Sequence, residues 1–185
     1  MAKIGLKNFK YSKLDEDDKV TTPASLGKAV TCKVSIDTNS AELYADDGLA
    51  ESDYTFKKGT ITLEVDEDAD TVFADLLGHS ISKDTENAGE VVRKASDIAP
   101  FVAVGRILTK VVNGAYKYKV EFLSKVKFKE PSADEATKGE SVEFKTNSIE
   151  GTVLQLADGT WSKAKTFDSY TSAETYLNGL LTAEA

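Results

Sequence analysis

Residues 101–128 read FVAVGRILTKVVNGAYKYKVEFLSKVKF, two apolar-rich runs joined by Asn113-Gly114. Asn and Gly both tolerate the positive φ of a type I′ turn, so the pair marks a tight hairpin between two strands. In the second run Tyr116, Tyr118, Val120, Phe122, Ser124, Val126 and Phe128 alternate with Lys117, Lys119, Glu121, Leu123, Lys125 and Lys127. Successive strand side chains point to opposite faces, which predicts one core-facing side and one lysine-rich side. Residues 116–128 would reach about 43 Å at about 3.3 Å per residue, well past the usual strand length. Such a strand has to project, curl strongly or continue into something larger than one domain.

On either side the β pattern continues. Val30, Cys32, Val34 and Ile36 alternate with Thr31, Lys33 and Ser35, and Ile61, Leu63 and Val65 mark the inward face of a strand over Thr60–Val65. Further strands are expected at Ala41–Ala45, Glu90–Ala95, Glu140–Thr146 and Ile149–Leu156. Asp158-Gly159 predicts a second tight hairpin, into Thr160–Phe167. Pro131, which cannot donate to a ladder, ends the long hairpin.

Two helices interrupt the strands. Ala69–Leu77 follows an acidic run that suits a helix start, has Val72, Phe73, Leu76 and Leu77 on one face, and stops at Gly78. Thr171-Ser172-Ala173-Glu174 fits a capping box ahead of Tyr176, Leu177, Leu180 and Leu181. The expectation is a mainly β fold: two packed antiparallel sheets, as a sandwich or curled barrel, with one flanking helix and a short C-terminal helix. Residues 1–185 form one domain in this reading, with 1–26 as an extended N-terminal arm. Residues 46–58 form a loop long enough to be functional or interface-forming.

The formal net charge of −8 argues against a surface built to hold nucleic-acid phosphates, which needs clustered Lys and Arg. Cys32 is the single cysteine, so no disulfide framework or thiolate cluster is available. The N-terminus has no apolar core of signal-peptide length, and no stretch approaches the ~20 apolar residues of a membrane span. These features predict synthesis and folding in a cytoplasm.

Few residues suggest chemistry. His79, the sole histidine, follows a helix and is expected to be solvated or to cap it. Cys32 reads as a small buried hydrophobe. Asp66, Asp68 and Asp70 have calcium-loop spacing, but Thr71 and Leu77 stand where Gly and Glu are required, which excludes an EF-hand. No Gly-rich phosphate loop is present, and the abundance of carboxylates does not by itself define a catalytic pair. No cofactor or metal is expected. Lys117, Lys119, Lys125 and Lys127 lack aromatics interleaved on their own face, so single-strand binding fits them poorly. They fit a solvent-facing strand protected by lysine, or a surface that meets acid on a neighbouring subunit.

Taken in order, KIGLKNFKYSKL, ELYADDGLAES, ITLEV with the helix ending LLGH, DIAPFVAVGRI, YKYKVEFLSKVKFKEP, TKGESVEFKTNSIEGTV and DGTW resemble the phage major tail protein family. Its members are the tail tube subunits of long, non-contractile-tailed bacteriophages, and the matches run from about residue 3 to about residue 165. The resemblance implies a sandwich of two antiparallel sheets with a helix on its flank. It also implies hexameric rings stacked into a tube around the tape measure protein. DNA would pass through the tube without specific binding, and tail terminator and distal tail proteins would cap it. The location implied is the virion tail. In that family the arm and long loop are where subunits meet, which assigns Leu6, Phe9, Tyr11, Tyr44, Asp46, Asp47 and Tyr54 to interfaces. Lys125 and Lys127 join them if the lysine face meets acid. A structural, non-enzymatic protein is the first expectation. The alternative is an acidic β-sandwich that binds a glycan or cell-surface ligand.

Overall fold

The structure, a computed structural model, describes residues 2–45, 48–66, 70–84, 86–131 and 147–182. The elements run β1 (Ala2–Leu14), β2 (Val20–Ser25), β3 (Ala29–Ala45), β4 (Gly48–Val65), α1 (Asp70–Leu77), β5 (Ser80–Ile81), β6 (Val91–Val92), β7 (Phe101–Val112), β8 (Ala115–Lys129), β9 (Asn147–Leu154), β10 (Ser162–Phe167) and α2 (Tyr170–Leu181). The fold is mainly β, antiparallel, with a flanking helix and a C-terminal helix, as the sequence predicts. Eight strands form one sheet in the order β2-β1-β7-β8-β9-β4-β3, with β10 added to β8, while β5 and β6 pair separately.

The turn between β7 and β8 is the one the sequence dictates. Asn113 and Gly114 both have positive φ, 52° and 78°, and Val112 pairs with Ala115. β8 is the backbone of the sheet. One edge pairs with β7; the other is shared, with β9 along Lys125–Lys129 and β10 along Tyr118–Leu123. The expected Asp158-Gly159 hairpin is therefore replaced. A local turn is present, with Gly159 N donating to Leu156 O, but it carries the chain from one stretch of the β8 edge to the next.

The two layers expected from the sequence are parts of one continuous sheet curled on itself. β3 and β7 lie four places apart in the strand order, yet the Arg106 guanidinium on β7 meets the Cys32 thiol on β3 across the interior. Inside the curl, Ile61, Leu63 and Val65 pack with Val102, Val104, Leu123, Val126 and Phe128, and α1 adds Phe73, Leu76 and Leu77. On the outside of β7 and β8, Ala103, Ile107, Val120 and Phe122 are covered by Ala173, Leu177 and Leu181 of α2. The helix sits close because residue 105 is glycine: a Cβ there would run into the Leu177 side chain. Each large side chain so buried contributes about 1.5–3 kcal/mol.

The strict alternation read along β8 breaks at one point. Val102 pairs with Val126, but Val104 pairs with Leu123, so Ser124 and Lys125 together oppose Ala103 in a β-bulge. A one-residue slip exchanges faces. Val120 and Phe122 therefore face α2, whereas Val126 and Phe128 enter the curled core, joined by Leu123 from the supposed lysine face. The four lysines are divided by the same slip.

Other boundaries also differ. Residues 1–26, expected as an extended segment packing along a neighbouring surface of this subunit or the next, pack within this subunit, where β1 is hydrogen-bonded between β2 and β7. Residues 48–58 are not a loop but the first half of β4, paired with β3. Only Val91–Val92 of the expected Glu90–Ala95 strand pairs, with Ser80–Ile81. The N-cap of α2 is Ser169 rather than Thr171, and no side chain caps it. The strand expected at Glu140–Thr146 lies outside the described residues.

Candidate functional site

The outer half of the β3–β4 hairpin runs beyond the ladder that β4 makes with β9. β3 and β4 pair from Ala29↔Val65 to Ala45↔Gly48, but β9 pairs with β4 only over Gly59–Val65. Beyond Asp37↔Lys58 the two strands form a ribbon to which no third strand pairs among the described residues. Nine residues at about 3.3 Å each carry it about 30 Å from the sheet. Asp37, Asp53 and Tyr54 are exposed, and Tyr54 keeps 61% of its surface in solvent. At the root the Phe56 ring stacks on Trp161, centroids 4.9 Å apart and 8° from parallel. Tyr44 stands opposite Leu49 in the ribbon, its side chain outside those described. Asp46 and Asp47 lie outside the described residues.

The N-terminal residues assigned to interfaces sit differently. Phe9 and Tyr11 are buried within the subunit, and Leu6 packs against the same core. The Tyr11 hydroxyl donates to Asp75 Oδ2 at 2.6 Å, and Lys13 Nζ donates to Asp75 Oδ1 at 2.6 Å, tying β1 to α1. Burial, reinforced by the bond to Asp75, raises the Tyr11 pKa far above the ordinary tyrosine value, so the phenol stays a neutral donor. At Asp75 burial opposes ionisation, but the bonds from Lys13 and Tyr11 outweigh it and hold the carboxyl below its usual range. These aromatics hold their own subunit together, because pairing with β7 places them over its core.

Lys125 and Lys127 also find partners at home. Lys125 Nζ bonds Asp18 Oδ1, and both ammonium groups lie over the Phe101 ring, 4.5 and 5.1 Å from its centroid. The acidic run at 15–18 is mostly a turn: Asp15 Oδ1 accepts from the backbone N–H groups of Asp17 and Lys19.

Two polar clusters escaped the sequence reading. Arg106 Nη2 donates to Glu121 Oε2 at 2.6 Å, and Lys119 Nζ donates to Glu121 Oε1 at 2.6 Å. Burial would raise the Glu121 pKa, but these cationic donors prevail and bring it to about 2. Burial, the leading influence, raises the Cys32 thiol pKa despite Arg106. The signal was available: counting back from the Asn113-Gly114 turn pairs Arg106 with Glu121. His79 forms the second cluster. Its side chain is only 6% exposed, so of the two expectations, solvated or capping, the solvated one fails, and its ring engages carboxylates rather than the end of α1. Nδ1 lies 2.8 Å from Asp97 Oδ2 and Nε2 meets the Glu130 carboxylate. The Asp97 bond is the foremost influence, and with Glu130 it raises the imidazole pKa against the effect of burial. With both ring nitrogens engaged by carboxylates, His79 acts as an ionic tie between residues 94–97 and the end of β8.

A shallow groove of about 340 Å³ lies where β1, β7 and β8 meet, near the Asn113-Gly114 turn, lined by Ile4, Gly5, Lys7, Thr109, Tyr116 and Tyr118. Ile4 and Tyr116 are 54% and 60% exposed. Thr109 is more than nine-tenths buried, and its hydroxyl has no hydrogen-bond partner among the described residues.

No protein-family model and no curated protein matches the chain. The family resemblance rests on the residues that carry it, and the functional reading rests on geometry.

Proposed function

We propose that this chain is a structural, self-assembling protein of the phage tail tube class, polymerising as stacked hexameric rings into a conduit for DNA. The observation that carries this reading is the β3–β4 ribbon. A two-stranded hairpin is at best marginally stable alone in water, and this one reaches about 30 Å beyond its last neighbouring strand. A polar ribbon of that length gains most of its order from a surface outside its own subunit. The net charge of −8 suits a tube through which DNA slides without sticking. The tape measure, tail terminator and distal tail proteins are the partners this reading implies.

Negative-stain microscopy of concentrated protein tests it. Uniform rings or hollow tubes are the expected result. A strictly monomeric protein at every concentration and salt would overturn the proposal. If that monomer bound a glycan saturably through the tyrosine-lined groove, the binding-module alternative would replace it.

A further inference from the structure

A ring that bonds two carboxylates has to supply two N–H groups. Ionised carboxylates only accept, and a neutral imidazole carries a single N–H. The His79 ring that reaches both Asp97 and Glu130 is therefore an imidazolium. Its two partners belong to different parts of the chain. Asp97 closes the turn 94–97 ahead of β7, its N–H donating to Lys94 O, and Glu130 follows the last residue of β8. His79 itself is fixed behind α1, where its backbone N–H donates to Ala74 O at 2.8 Å. One proton decides whether three segments are joined or only two.

The segment on the Asp97 side is otherwise lightly held. Of the described residues in 83–96, all but Val91 are exposed. None of the described residues in 80–97 joins either core cluster. β5 and β6 meet over two residue pairs, and the bonds from Ser82 N to Glu90 O and from Gly89 N to Ser82 O close this excursion on itself. Segments with exposed backbone bonds and few core contacts open at low cost. The two carboxylates are also unequal. The Asp97 side chain is 12% exposed and its Oδ2 accepts a second bond, from Lys94 N–H at 2.8 Å, whereas Glu130 is 56% exposed.

We propose that residues 80–97 are latched to the end of β8 by the imidazolium form of His79, and that loss of one ring proton opens the latch at Glu130 while Asp97 stays bound through Nδ1–H. The Asp97 bond, the leading influence, acts with Glu130 to raise the ring's affinity for its proton above that of an ordinary histidine. The latch is therefore closed below pH 6.5 and opens as the pH climbs through the raised value. Asp97 and Glu130 are the charged groups that face the ring, with Lys94 beside Asp97. β5 and β6 carry no charged residue. Asp75 of α1 is turned to Tyr11 and Lys13, and Lys129 of β8 is engaged by Glu150. The latch lies within one subunit and does not depend on assembly.

Two measurements on the full chain test it. Long-range proton–nitrogen NMR of the ring follows the proton itself, and Nε2 should become the bare nitrogen as the pH rises. Over the same range, protection of the 80–97 amides against hydrogen exchange, corrected for the intrinsic pH dependence of exchange, should fall about threefold, the size expected of one partly exposed ionic bond. Glu130→Ala cuts the bridge at every pH and should show the lower protection throughout. Glu130→Gln should show the higher protection throughout, because an amide accepts from Nε2–H and also donates to a bare Nε2. Both variants change an exposed side chain, and cooperative thermal unfolding checks that each is folded; if either is not, the two measurements on the parent decide. A bare Nδ1, protection that ignores the ring's titration, or a Glu130→Gln protein that opens with the parent would overturn the latch.

Discussion

β7–β8 and β3–β4 are both long antiparallel hairpins, of 12 and 15 residues and of 17 and 18 residues. They serve opposite ends. β7–β8 is covered on both faces, by the curled core on one side and α2 on the other. Among the described residues, no further strand pairs with the outer half of β3–β4. Strand length alone does not say where a strand goes. The difference lies in what alternates: Val, Ile, Leu and Phe along β7 and β8, against Asp, Thr, Asn and Ser where β3 leaves the sheet. The first hairpin stabilises the subunit; the second is available to something else.

The sharpest test of that contrast is to remove residues 1–14. β1 forms the ladder beside β7 and supplies Phe9 and Tyr11, so loss of cooperative urea unfolding is expected. Survival of a cooperative transition would return β1 to the status of an arm. Next in size, Ile107→Ala opens a cavity beneath α2 and should cost about 2–5 kcal/mol in the same measurement. A value near zero would mean that the helix does not seal the sheet.

His79 tests how tightly the end of β8 is held, through pH. Its pKa is raised above the ordinary 6.5, so the folded protein binds the proton more tightly than the unfolded chain. The stabilisation is therefore full below 6.5 and is lost as pH climbs through the raised value. Asp97 and Glu130 are the charged groups that face the ring. His79→Gln should lower the melting temperature in mild acid, and the two proteins should converge in alkali. Parallel melting curves across the whole range would show that the tie carries no stability. Smallest for the subunit, replacing residues 40–54 by a two-residue turn should shift unfolding by no more than about 1 kcal/mol, since none of its described side chains joins either core cluster. Under the proposed function the same excision abolishes assembly, which light scattering would read.

How far the sequence reached depended on the range of the rule involved. The Asn113-Gly114 turn was legible because it is decided within four residues. The inward faces of β4 and α1 were legible from periodicity. The β8 bulge was not, because a slip at Ala103 depends on how two strands fit across a core, and it reassigned Leu123, Val126 and Phe128 together. The Asp158-Gly159 turn was read correctly as a turn and wrongly as a hairpin, since turn chemistry does not choose the next partner strand. At the candidate site, Tyr54 was placed on an exposed segment, but that segment was taken for a loop because its polar composition masks its pairing. Phe9 and Tyr11 were misassigned for the opposite reason: apolar beads in a short run do not reveal that β7 waits alongside.

The stack of Phe56 on Trp161 has a practical use. Trp161 is the only tryptophan in the chain and rests against the ring where the ribbon leaves the sheet. Selective excitation of indole therefore makes the protein its own optical gauge of that hinge. Emission should change when the ribbon is captured or released, so docking can be timed in solution without attaching a dye.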